Sequence, residues 1–140
     1  MTIQTRYLGD LRTEMTHVRS GSILITDAPV DNQGRGESFS PTDLVAGALA
    51  SCMITIMGIA AREHGFELGN IEADILKIMS ENPRKIGAVE IDLFFEKEDF
   101  TEKEIKIIEK CAYTCPVYLS LSEEMRKEIR FHWGRKKGLQ

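Results

Sequence analysis

The chain has 140 residues, 42% apolar and 29% charged, with a net charge of -4 and a pI near 5.4. That length and balance suit one soluble globular domain, residues 1–140, with enough apolar residues for a core. The shortage of Lys and Arg argues against a nucleic-acid partner, and the one basic run, residues 135–137, reads as a solvated tail.

The chain opens with three short β-rich segments, IQTRYLG, LRTEMTHV and SILITD, separated by the turn dipeptides Gly9-Asp10 and Ser20-Gly21. This predicts a meander. Residues 28–40 are polar and glycine-rich, long enough for a functional loop. Ser40-Pro41-Thr42-Asp43 then offers a capping hydroxyl, a proline at the first helical position and an acid in the first turn. The helix is expected to run to Glu63 or His64, with Gly65 as its stop. Residues 44–61, LVAGALASCMITIMGIAA, carry no charge, which raises the alternative of a membrane span. The run is rich in Ala, Gly and hydroxyl side chains, and Asp43 and Arg62 bracket it, so a buried helix with no membrane partner is expected. A helix apolar on nearly every face needs cover on nearly every face, and in a chain this short that predicts an intertwined homodimer.

Two long strands follow, IEADILKIMS and VEIDLFFE, with Asn82-Pro83 and Gly87 as turn residues between them. Thr101 and Glu104 form a capping-box pattern for a second helix, TEKEIKIIEKCAY. The residue before a proline is pushed out of the helical region, so a break is expected at Cys115 and a short helix from Pro116. EIRFHW reads as a closing strand. The order predicts an α+β fold with antiparallel sheet around a long buried central helix.

The N-terminus, MTIQTRYLGD, lacks the basic start and apolar core of a signal peptide, so a cytoplasmic location with reduced thiols is expected. Cys52 lies mid-helix and Cys115 at a helix boundary; Cys111 reads as a packing residue. A thiol reacts as its thiolate, and apolar burial disfavours that form unless a cation stands by. Arg35 in the loop and Arg12 in the second strand are the candidates for that cation. Arg62 is ten residues along the same helix from Cys52, about 15 Å away, too far to serve. A cysteine at a helix N-cap is expected to have a lowered pKa. Two thiols remote in sequence suit a peroxidase, in which one becomes a sulfenic acid, the other closes a disulfide, and an external small or protein dithiol resets the pair. Apolar surroundings favour organic hydroperoxides as substrates. A zinc site from Cys52, Cys111 and Cys115 with His64 or His132 is a weaker pattern. No phosphate loop or ligand cluster stands out, so no cofactor is expected.

SFSPTDLVAGALASCM, followed far downstream by TCPVYLSL, resembles the OsmC/Ohr family of thiol-dependent peroxidases over nearly the whole chain. The resemblance implies an α+β fold in an intertwined homodimer with two sites at the interface. It implies that Cys52 is the peroxidatic cysteine, Cys115 the resolving one, and that an arginine activates the first thiolate. In one branch that arginine precedes the helix, matching Arg35; in another it lies on an early strand, matching Arg12. The family glutamate that holds the arginine is Thr42 here, with the acid displaced to Asp43. A third branch, without a firmly assigned activity, shares the Pro-x-[Asp/Glu]-Leu helix start and is the most similar. A non-peroxidatic protein that binds a small apolar or sulfur ligand, or carries a thiol, is therefore the alternative.

Overall fold

A computed structural model describes residues 1–138 of the chain. The backbone forms two compact units, Met1–Val45 and Ala46–Gln140.

In the first unit, β1 (Ile3–Gly9), β2 (Arg12–His17) and β3 (Ile23–Asp27) form an antiparallel meander in that order. The β2–β3 register sets Arg12 directly opposite Asp27. The loop after β3 makes a 3-10 turn at Val30–Asn32 and folds back on its own start. Gly34 passes so close to Ala28 that a Cβ there would lie 1.7 Å from the Ala28 carbonyl oxygen, so only glycine fits. Three bonds pin the loop to β3: the Asp27 N–H donates to Phe39 O (3.0 Å), the Ser38 hydroxyl to Ile25 O (2.8 Å), and the Glu37 N–H to Asp27 Oδ2 (3.0 Å).

Helix α1, Pro41–His64, begins as its cap residues require. Ser40 Oγ accepts the Asp43 N–H at 3.0 Å, and Asp43 Oδ2 accepts the Ser40 N–H at 2.9 Å, a reciprocal box with Asp43 in the glutamate's place. Gly65, with φ +71°, ends the helix. One stripe of α1 is buried: Ala46, Leu49, Ala50, Met53, Met57 and Ala61. Among the described residues, cover on every face is not found. Val45, Ala48, Ser51, Thr55 and Ile59 lie exposed on the other side, Ile59 at 47%. By length and composition alone α1 is apolar enough to cross a membrane.

The second unit holds β4 (Ile71–Ser80), β5 (Lys85–Phe95) and β6 (Arg126–Trp133), with α2 (Glu102–Thr114) and α3 (Pro116–Ser120) between β5 and β6. The β4–β5 pair is antiparallel, but β6 runs parallel to β5, so this sheet is mixed where antiparallel pairing was expected. The reason is the connection: α2 and α3 carry the chain back along the sheet, and a helical crossover returns a strand in the same direction. Val89, Ile91, Leu93 and Phe95 of β5 face the core with the buried stripe of α1 and Ile108, Cys111, Ala112 and Cys115.

The opposite face of β5 carries Glu90, Asp92 and Phe94. Arg130 donates to both oxygens of Asp92 (2.8 and 2.9 Å), and His132 Nε2 lies 2.7 Å from Asp92 Oδ1 while its ring stacks on Phe94. Hydrogen bonds from Arg130, then from His132, hold the Asp92 carboxyl at about 2. A carboxylate with a depressed folded-state pKa contributes stability above its unfolded pKa and loses it on protonation. Asp92→Asn is therefore expected to destabilise the fold at neutral pH, with the difference from wild type narrowing as pH falls from about 4 towards 2. Urea unfolding at stepped pH measures it; a gap independent of pH contradicts the assigned cause.

Candidate functional site

Cys115 joins two helices because Pro116 cannot continue the first. At φ -66° and ψ 146° it is at once the C-cap of α2 and the N-cap of α3, and it is 0% exposed. Its sulfur accepts the Tyr118 N–H at 3.3 Å. Cys52, on α1, is partly exposed and packs against the same core cluster. Cys52 and Cys115 border the same core cluster, and the Cys52 thiol is one cause of the raised Cys115 pKa. Two thiols remote in sequence thus border one core cluster, and both are free.

The expected lowering of the Cys115 pKa is reversed. Burial, the largest effect, pushes this thiol above the ordinary cysteine range; the Tyr118 N–H opposes it, and the Cys52 thiol adds to the rise. Desolvation outweighs one backbone donor. Cys111 is a packing residue: it is buried, its sulfur lies 3.9 Å from Ile56 O, and burial raises its pKa too. His64 and His17 are exposed, and His132 is engaged with Asp92 and Phe94 on the outer face of β5 and β6.

The two candidate arginines both lie in the first unit. Arg35 is exposed in the loop. Arg12 is clamped: its Nη2 donates to Asp27 Oδ2 at 3.4 Å and to Glu37 Oε2. Glu37, first, and Asp27 raise the guanidinium pKa, while the Glu37 N–H and Arg12 hold the Asp27 carboxyl, 1% exposed, below the usual range. The carboxylates beside Arg12 therefore come from the end of β3 and from the loop, while Asp43 closes the helix cap. Asp27 and Glu37 escaped the sequence reading; the only available signal was the meander itself, which sets the end of β3 against the start of β2.

An accessible thiol beside a buried one reacts first. Alkylation of the folded protein by iodoacetamide at pH 8 is expected to modify Cys52 at least about tenfold faster than Cys115 and Cys111. Mass mapping of timed samples reads the order, and equal rates at Cys52 and Cys115 contradict it.

A family model of OsmC-like proteins matches residues 34–130. Comparison with curated proteins yields no match. Among solved structures, a Psychrobacter arcticus protein, described provisionally as osmotic stress induced and of the detoxification response, is 44% identical, with a TM-score of 0.89 over 94% of this chain and 96% of its own. The organic hydroperoxide resistance protein OsmC of Legionella pneumophila shares the fold at 14% identity, with a TM-score of 0.74 over 94% of this chain and 97% of its own. OhrB of Bacillus subtilis, an organic hydroperoxide resistance protein, does so at 20% identity, with a TM-score of 0.66 over 94% of this chain and 98% of its own. The matched residues run from the loop before α1 into β6 and include both Cys52 and Cys115, and the chain belongs to the family of OsmC-like proteins.

Proposed function

We propose that this protein is a thiol-dependent peroxidase that reduces organic hydroperoxides through Cys52 and Cys115. The observation that carries the reading is a partly exposed thiol and a buried one bordering the same apolar core cluster. Family membership and the hydroperoxide-resistance proteins of the same fold support it.

The Cys52 thiolate attacks one peroxide oxygen; an S–O bond forms, the O–O bond breaks, and the alkoxide leaves as the alcohol after taking a proton. The Cys115 sulfur then attacks the sulfenic sulfur of Cys52, the disulfide closes, and water departs. Two electrons have passed from the thiols to the peroxide, and an external dithiol returns them. A cation lowers the cost of forming the first thiolate in apolar surroundings. Arg12 or Arg35 takes that role, and Arg12 is the preorganised one, because two carboxylates fix its guanidinium.

The protein acts as a homodimer of single OsmC-like domains in the cytoplasm. The exposed apolar side of α1 supports the dimer, since Val45, Ala48 and Ile59 otherwise face water. Sedimentation at micromolar concentration is expected to give the mass of two chains; a monomer overturns this part.

Mixing with cumene hydroperoxide in a stopped-flow instrument tests the chemistry. Cys52→Ser is expected to lose peroxide consumption by about 100-fold or more, whereas Cys115→Ser still undergoes the first oxidation but forms no disulfide. A Cys52→Ser protein that consumes peroxide at the wild-type rate removes the assignment.

A further inference from the structure

We infer that the outer face of the second sheet holds a binding site for a small aromatic carboxylate, in a cavity of about 690 Å³ between the sheet and the segment after β6. Its lining is Asp74 from β4, Asp92 and Phe94 from β5, His132 from β6, and Arg135 and Lys137 beyond it. Leu93 and Phe95 point into the core with α1, so Asp92 and Phe94, which alternate with them, lie on the face turned away from α1 and the thiols. The site therefore stands independently of the peroxidase reading. A cavity of this size takes a small organic ligand.

The register explains how the lining comes together. Asp74 pairs with Asp92 across β4 and β5, and Phe94 with His132 across β5 and β6, so the four share one face. The segment after β6 is tied down beside them. The Arg135 N–H donates to Phe95 O at 2.9 Å, and Lys136 and Lys137 pair with Glu96 (2.9 Å) and Asp74 (2.6 Å). The basic run that reads as a solvated tail is thus held against the sheet. Facing carboxylates repel, but here each has its own counter-charge: Lys137 on Asp74, and Arg130 on both oxygens of Asp92.

Arg135 differs from these cations. It is exposed, and among the described residues no carboxylate pairs with its guanidinium. In the same cavity the Phe94 and His132 rings stack at 4.7 Å and 13°, and the contact of His132 Nε2 with Asp92 fixes the imidazole plane. A free guanidinium grips a carboxylate through two parallel N–H donors, and an aromatic pair holds a further ring by its face or edge. An exposed ion pair alone contributes little in water. Charge and ring on one rigid frame use both elements at once, which selects an aromatic acid over a simple anion. A divalent cation is disfavoured, because Arg135 and Lys137 line the same space.

Benzoate, acetate and benzamide separate the two elements, with the ring signals of His132 followed by NMR at neutral pH. Benzoate is expected to bind with a Kd of about 1 mM, at least about tenfold tighter than acetate, which has the charge alone, or benzamide, which has the ring alone. Arg135→Ala is expected to bring benzoate down to the level of benzamide, and Phe94→Leu to that of acetate. Arg19→Ala, at an exposed arginine of the first unit, is expected to leave binding unchanged. If Phe94→Leu folds poorly, the wild-type comparison and Arg135→Ala still decide, since the Arg135 side chain supports no packing. Benzoate no tighter than acetate, or bound equally well by Arg135→Ala, overturns the inference.

Discussion

A proline lacks the N–H that a helix needs and pushes its predecessor into extended backbone, so α2 ends at Cys115 and the chain restarts at Pro116. The thiol site depends on that constraint. In an unbroken helix the Cys115 side chain would point along α2 with no free backbone donor nearby. At the break its sulfur turns onto the Tyr118 N–H and is sealed in the core cluster that Cys52 also borders. The burial that follows keeps the thiol protonated at rest and closed to solutes, while Cys52 on α1 is only partly buried within its own chain. The asymmetry of the two sulfurs, one inside and one at the edge, is thus a consequence of where the chain is forced to break.

Helix α1 carries Cys52, the other half of the candidate site. Ala46, Leu49, Ala50, Met53 and Met57 on its buried stripe share one core cluster with residues of β5 and α2. The remaining side carries Ala48, Ser51, Thr55 and Ile59, too apolar for a permanent water face and too poor in large side chains for a strong core. A second copy of the same surface suits that composition, in keeping with the proposed dimer.

Arg12 is held by carboxylates remote from it in the chain. Asp43 is committed to the cap of α1. The carboxylates that fix Arg12 instead come from Asp27, its cross-strand partner, and Glu37, brought in by a loop that Gly34 lets fold tightly against Ala28. A slip of one residue in the β2–β3 register would turn Asp27 to the other face and leave the guanidinium without its buried partner.

Residues close in sequence determined most of the architecture. Ser40-Pro41, Gly65, Thr101 with Glu104, and Cys115-Pro116 set the ends of the helices through hydrogen bonds and backbone sterics that span only a few positions, and each end falls where those residues place it. Alternation marked the strands for the same reason, and the family motif pointed to Cys52 and Cys115 as candidates. The rest was decided only in three dimensions. The direction of β6, the clamp of Asp27 and Glu37 on Arg12, and the Asp92–Arg130–His132 cluster each join residues far apart in the chain, and no local rule ranks such pairings. The pKa of Cys115 makes the same point. Its cap position argued for a lowered value, but the sign depends on how much water the fold removes, and that is settled by everything packed around the sulfur.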